Sequence, residues 1–286
     1  MFINGLVCDE ADAKISVLDR GFLYGDSVYE VARTSGAHPV DYERHIERLE
    51  RSAASIWLPC PPREVLADAV RRTLAAAANP ESYIRIIITR GRGVIGLDVA
   101  LAEDASTVVI VKPLTQPAAE LYERGAVLRI VGVQRTSREA VDPGVKSGNY
   151  LNNILALAEA RRHGAHEGVM LSADGAVAEG STSNVFAISK GVLTTPAGRV
   201  GLLPGITRRR VIELARGAGL DVVEADRLEP DALRTADEVF ITSSIRGILP
   251  ISRVDDVELA KPRTITAQIA ELYAAFLASE AERGPF

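Results

Sequence analysis

Turn-forming residue pairs cut this chain into short β-branched runs and longer helical stretches, and the order in which these follow one another limits the folds open to it. Residues 2–8 alternate around Asn4-Gly5, the favoured pair for a two-residue hairpin turn. Val28 to Thr34 is β-branched and aromatic. Ser35-Gly36 turns it, and Pro39-Val40 leads back to Asp41, the expected N-cap of a helix through Ile56. A helix over 63–78 and two strands, Tyr83–Arg90 and Thr107–Lys112, come next. Pro113 and Pro117 bracket a polar stretch that reads as a linker. Beyond it the pattern predicts a strand from Ala126 to Val133 and a helix from Gly148 to His163. Strands near 167–172 and 184–195, a helix from Gly205 to Ala218, a strand from Val239 to Thr242 and a final helix over 264–282 follow. Both halves mix strands with helices and lack strict βαβ alternation, so the fold class is α+β rather than a Rossmann domain. The expected division is an N-terminal domain over 1–113, a loop over 114–125 and a C-terminal domain over 126–286.

Composition removes several classes of function. The net charge is −5 and the basic residues are scattered, which argues against nucleic acid as a partner. No apolar run approaches the roughly 20 residues that span a bilayer, and the start MFINGLVCDE has no basic leader before an apolar stretch. The expectation is a cytoplasmic protein without membrane association. The two cysteines, Cys8 and Cys60, and the four histidines have no metal-ligand spacing. No metal is expected.

Five segments carry candidate chemistry. Lys146 stands among Val145, Ser147 and Gly148, before a strongly periodic helical stretch. Apolar neighbours and a helix N-terminus disfavour the ammonium form, as an amine that forms a Schiff base requires, although taken alone the pattern fits an ordinary surface lysine better. Glu179 is followed by Gly180-Ser181-Thr182-Ser183 and then a strand, a carboxylate in a backbone-rich pocket that calls for a cationic partner; a solvated acid at a turn is the plainer alternative. Leu203-Pro204-Gly205-Ile206-Thr207-Arg208 opens a helix whose free amides can hold a phosphate or simply be capped. Phe240-Ile241-Thr242-Ser243-Ser244 ends a strand in three hydroxyls, suited to a phosphate or to a turn. His45-Ile46-Glu47-Arg48-Leu49 places arginine on a helix, where it can clamp a phosphate or face solvent.

Together and in this order these segments resemble the class IV aminotransferases, the fold type IV group of pyridoxal-phosphate enzymes that includes branched-chain aminotransferases, D-amino acid aminotransferases and aminodeoxychorismate lyases. The resemblance runs from about Phe2 to Pro250 and is most specific from Glu179 to Arg208. It implies a smaller N-terminal and a larger C-terminal α/β domain, a homodimer, and pyridoxal 5′-phosphate as cofactor between the domains. Lys146 would be the Schiff-base lysine and proton shuttle, and Glu179 the partner of the pyridine nitrogen. Arg48, Ile206, Thr207, Ser243 and Ser244 would form the phosphate cup, and Tyr150 would approach the phenolic oxygen. Tyr24 and Tyr29, in the run Arg20 to Val31, would line the substrate side.

Substrate markers point in different directions. Tyr29-Glu30-Val31 resembles D-amino acid aminotransferases, whereas Ile88 to Asp98 resembles the branched-chain type, and Gly247 stands where the group usually has Glu. The implied reaction is amino transfer between a branched-chain or broad set of amino acids and a 2-oxo acid. The alternatives are D-amino acid or (R)-amine transamination, lyase chemistry, or a pyridoxal-phosphate-binding protein without turnover. Arg92, between Gly91 and Gly93, and Arg246, beside the serines, are candidate ligands for a substrate carboxylate.

Overall fold

The opening hairpin forms as its turn pair dictates. Phe2–Ile3 pairs antiparallel with Leu6–Val7, and Asn4 (φ 46°) and Gly5 (φ 96°) both take the left-handed conformation of a two-residue turn. The structure is a computed structural model and describes residues 1–259 and 262–286. Those residues divide into two compact units. The first comprises Met1–Thr115, Val145–Asn149 and Leu277–Phe286, and the second Gln116–Gly144 and Tyr150–Phe276. Two segments from beyond residue 126 thus group with the N-terminal elements, one of them carrying Lys146.

The first unit is built on a six-stranded antiparallel sheet. Its spatial order is Leu6–Val7, Phe2–Ile3, Ser106–Pro113, Ser82–Thr89, Ser27–Ser35 and His38–Pro39. Helices Tyr42–Ser55 and Arg63–Ala77 supply Ile46, Leu49, Ala53, Leu66 and Val70, which pack against Val28, Ala32, Ile84, Ile86 and Ile88 of the strands. Period-two alternation puts Val28 and Glu30 on that helix-covered face. Tyr29, with Val31 and its cross-strand partner Arg85, lies on the other. Two local expectations are corrected. The second hairpin turns on Gly36 and Ala37, both left-handed, rather than on Ser35-Gly36. Asp41 stands at the N-cap position with φ 52° and makes no side-chain cap; its carboxylate pairs with Arg44 at 3.5 Å and its amide donates to Glu280.

In the second unit a nine-stranded mixed sheet runs in the order Val222–Ala225, Val192–Pro196, Asn184–Ser189, Glu238–Ser243, Gly247–Val254, Ala126–Ile130, Glu167–Leu171 and Val177–Gly180, with Val257–Glu258 pairing Gly247–Val254. Phe186 and Phe240 stack at 4.8 Å across neighbouring strands within the buried core. The strand Gly247–Val254 was not anticipated, because Pro250 breaks its pattern; the chain carries that proline opposite Phe240. Gly247 has φ 63° and lies against the Tyr273 ring, so a residue with a side chain would be strained and crowded there.

The helix expected from Gly148 starts at Leu151. Residues 146–148 instead pair with the edge of Ser27–Ser35 through an isolated bridge at Ser147. Ser147 bridges Val28, the Tyr29 amide donates to the Lys146 carbonyl (3.0 Å), and the Gly148 amide donates to the Ser27 carbonyl (2.9 Å). A Cβ on Gly148 would sit 2.2 Å from Ser27 Oγ and 3.2 Å from the Gly25 carbonyl, so a side chain there would have to displace the Ser27 hydroxyl. Gly148→Ala should therefore lower stability by about 1–3 kcal/mol, the usual range for overpacking, and disturb the register that carries Lys146. Urea unfolding monitored by circular dichroism measures it; a change below about 0.5 kcal/mol would show that the pairing tolerates a methyl group.

Candidate active site

In the first unit the site is organised by Ser27–Ser35. Lys146 is held at its backbone from two sides: its carbonyl accepts from Tyr29, and its amide donates to Ser52 Oγ of helix Tyr42–Ser55 at 3.1 Å. Its position is therefore set by sheet pairing and one helix hydroxyl, not by the helix N-terminus expected from sequence. The Lys146 ammonium lies 4.5 Å from the centroid of the buried Tyr29 ring, and the Arg85 guanidinium lies 4.0 Å from the same centroid. Among the described residues Arg85 makes no salt bridge to a carboxylate. Tyr24 accepts from the Gly96 amide and lies beneath the Arg20 guanidinium, which donates to the carbonyls of Gly96 and Leu97.

On the opposite face Glu30 is 1% exposed and accepts from Arg48 Nε (2.6 Å), Arg48 Nη2 (2.8 Å) and His45 Nδ1 (2.7 Å). Burial alone would push this carboxyl up, but the Arg48 charge and the hydrogen bonds from Arg48 and His45 hold it well below the usual carboxylate range. The two-pronged edge of Arg48 expected to clamp a phosphate is thus occupied by Glu30.

The second unit assembles Glu179 and the helix start. Glu179 lies in the fully buried strand Val177–Gly180 and accepts from Arg135 Nε (2.7 Å) and the Leu203 amide (3.1 Å), with Asn184 Nδ2 at 3.5 Å. Asn184 also donates to the Leu203 carbonyl, and its Oδ1 approaches Gly205 so closely that any Cβ there would overlap it. Glu179 is thereby tied to the turn that opens helix Ile206–Gly217. That helix has Gly205 as N-cap with no side-chain cap, and among the described residues the amides of Ile206 and Thr207 have no acceptor. Thr207 is buried. Tyr150 immediately precedes helix Leu151–Arg162. Ser243 and Ser244 form the end of Glu238–Ser243 and its turn, next to Thr242, whose buried hydroxyl has no partner among the described residues.

The two arginines proposed for a substrate carboxylate have other partners. Arg92 is 69% exposed at its side chain and pairs with Glu103. Arg246 turns inward to Glu167 at 2.6 Å. Sequence reasoning missed Arg85, Arg135 and Glu30. Arg85 could have been found from the strand itself, since it interrupts Ile84, Ile86, Ile87 and Ile88 with a charge; Arg135 and Glu30 become meaningful only through their tertiary partners.

The family model for class IV amino-transferases matches residues 27–254. The chain is 39% identical over 256 residues to a putative branched-chain-amino-acid aminotransferase of Methanocaldococcus jannaschii, covering 89% of this chain and 88% of that protein. It is 36% identical over 262 residues to the aminodeoxychorismate lyase of Bacillus subtilis, covering 90% and 87%. The crystal structure of a branched-chain aminotransferase from Thermoproteus uzoniensis with norvaline matches with a TM-score of 0.91 and 33% identity, over 99% of this chain and 95% of that one. The chain belongs to the class IV aminotransferases and is a pyridoxal 5′-phosphate-dependent transaminase, acting between an amino acid and a 2-oxo acid. The residues fit that cofactor: uncapped amides at a 12-residue helix start suit a phosphate, and among the described residues the buried hydroxyl of Thr242, the strand partner of the Asn184 that abuts Gly205, has no partner of its own. Among the described residues no helix is long and apolar enough to cross a membrane, and no cluster suits a metal ion.

Glu30 gives this site an acid limit. Its folded-state pKa lies below the unfolded value of roughly 4.3, so its stabilisation is complete above that value and is lost as pH falls through the folded pKa. Glu30→Gln should cost about 3–5 kcal/mol at pH 7 by leaving Arg48 buried without its counter-charge. The gap between wild type and variant should narrow below about pH 4. Urea unfolding across this range tests it, and a pH-independent gap would show that ionisation of Glu30 is not coupled to folding.

Proposed function

We propose that this transaminase takes short apolar or branched-chain amino acids as donors and a dicarboxylate, 2-oxoglutarate, as acceptor. Arg85 carries the reading: its guanidinium shares the Tyr29 ring with the Lys146 ammonium and has no carboxylate partner among the described residues. A substrate reacting at Lys146 would bring its distal carboxylate to Arg85, while an apolar side chain would lie against the Tyr29 ring. The branched-chain names of the relatives at 39% and 33% identity support the same donor class.

Lys146 would remove the proton from the substrate Cα and deliver it to the neighbouring cofactor carbon. Bound pyridoxal 5′-phosphate supplies an electron-accepting ring that stabilises the negative charge left by that step. Glu179, oriented by Arg135 and the Leu203 amide, would keep a proton on the ring nitrogen. The Ile206 and Thr207 amides with Ser243 and Ser244 would hold the phosphate, and Arg48, oriented by Glu30, is the cation that the family resemblance assigns to it. Tyr150 would steady the phenolic oxygen, and Tyr24 would face the substrate side. We assign the active form as a cytoplasmic homodimer, supported by family membership and by the exposed apolar side chains of Phe22, Val94, Ile95 and Leu97.

Lys146→Ala should abolish turnover with every acceptor while leaving the circular-dichroism spectrum unchanged. Arg85→Ala should weaken 2-oxoglutarate by about ten- to a hundredfold in kcat/KM, the worth of one charge-assisted bond, and leave pyruvate nearly untouched. Steady-state assays with leucine as donor against both acceptors decide this. Equal losses on the two acceptors would remove Arg85 from substrate selection, and normal turnover by the Lys146 variant would end the assignment of the reacting amine.

A further inference from the structure

Arg246 stands in the turn between Glu238–Ser243 and Gly247–Val254, and its guanidinium reaches Ser243, Thr182 and Glu167. Nη1 donates to Glu167 Oε2 at 2.6 Å, Nη2 to Thr182 Oγ1 at 2.8 Å and to the Thr182 carbonyl at 3.3 Å, and Nε to Ser243 Oγ at 3.2 Å. The Arg246 backbone amide donates to the same Ser243 oxygen at 3.3 Å. Glu167 is 1% exposed, and its other oxygen accepts from Ser181 Oγ and the Thr182 amide, both at 2.7 Å. One side chain therefore joins the serine turn, the turn that follows Glu179, and the strand Glu167–Leu171.

Two consequences follow from elementary hydrogen-bond and charge arithmetic. A serine hydroxyl has two lone pairs and one proton. With Arg246 Nε and the Arg246 amide both directed at Ser243 Oγ, the acceptor capacity of that oxygen is taken up, and its proton remains for donation elsewhere. A hydroxyl constrained to donate is what a phosphate dianion needs. Glu167 would have the opposite effect, because a desolvated carboxylate close to the serines repels an incoming dianion. Burial alone would push the Glu167 carboxyl up; Arg246, the Ser181 hydroxyl and the Thr182 amide keep it below its ordinary range, and the Arg246 charge cancels it.

We infer that Arg246 is a positioning residue for the cofactor phosphate, which turns Ser243 into a dedicated hydrogen-bond donor and neutralises Glu167 beside it. This rests on the phosphate cup proposed above. It predicts that Arg246→Met weakens pyridoxal 5′-phosphate by about ten- to a hundredfold, the loss of a charge-assisted interaction, and leaves binding of pyridoxal, which has no phosphate, unaltered. Glu167→Gln should bind the cofactor at least as tightly as wild type. The double variant Arg246→Met with Glu167→Gln should recover a large part of the loss, since the uncompensated carboxylate is gone. Ser243→Ala should weaken the phosphorylated cofactor alone and add little in the Arg246→Met background.

The measurement is equilibrium dialysis of holoenzyme against graded cofactor, with the retained cofactor read by absorbance, and pyridoxal in parallel. Ser244→Ala and Thr207→Ala act as controls on the cup. If neither control weakens the cofactor, the cup itself is misassigned. If the controls weaken it and Arg246→Met does not, this inference alone fails. It is also overturned if Glu167→Gln weakens the cofactor as much as Arg246→Met does, because the pair would then be only a brace. Should Arg246→Met not fold, Glu167→Gln and Ser243→Ala carry the test: the first must not weaken the phosphorylated cofactor, and the second must weaken it without affecting pyridoxal.

Discussion

The pairing of residues 146–148 with the edge of Ser27–Ser35 is the constraint on which the placement of Lys146 within the first unit depends. Edge pairing fixes the Lys146 backbone while its ammonium lies over the Tyr29 ring. The two hydrogen bonds to Ser27 and Tyr29 and the one to Ser52 fix three consecutive residues, a better anchor than a fraying helix end would be. The same strand then distributes chemistry by its period of two. Tyr29 faces the Lys146 and Arg85 cations, while Glu30 faces the helix that carries His45 and Arg48.

Buried carboxylates in arginine pairs recur through both units. Glu30 is matched by Arg48, Glu179 by Arg135 and Glu167 by Arg246. Each acid would be costly to bury alone, and removing either partner leaves an uncompensated charge, so these pairs specify geometry more than they add net stability. In the second unit the pairs at Glu179 and Glu167 lie on the adjacent strands Val177–Gly180 and Glu167–Leu171. One acid is bound toward the turn that opens helix Ile206–Gly217, the other toward the serine turn. A strand pair with its own buried charges therefore orders both the turn before helix Ile206–Gly217 and the serine turn.

The departures from expectation have physical causes that can be located. Asp41 stands in the left-handed region and makes no side-chain cap; its carboxylate pairs with Arg44 and its amide with Glu280. The helix after Lys146 begins late because Gly148 is already hydrogen-bonded to Ser27. Arg92 and Arg246 have similar glycine-rich or turn-like surroundings in sequence. One ends in an exposed pair with Glu103, the other in a buried pair with Glu167, and the acid that separates their fates is 79 residues from Arg246.

The sequence by itself determined the α+β class, most strand and helix positions, and the family, because hydrophobic period and turn chemistry are local and the run from Glu179 to Arg208 is specific. It also singled out Lys146, Glu179 and the uncapped helix start. Tertiary structure alone decided which arginine meets which acid, that Arg85 shares a ring with Lys146, and that the lysine rides on a strand edge. Those facts depend on contacts between residues far apart in the chain, and a buried charge has no local signature of its partner.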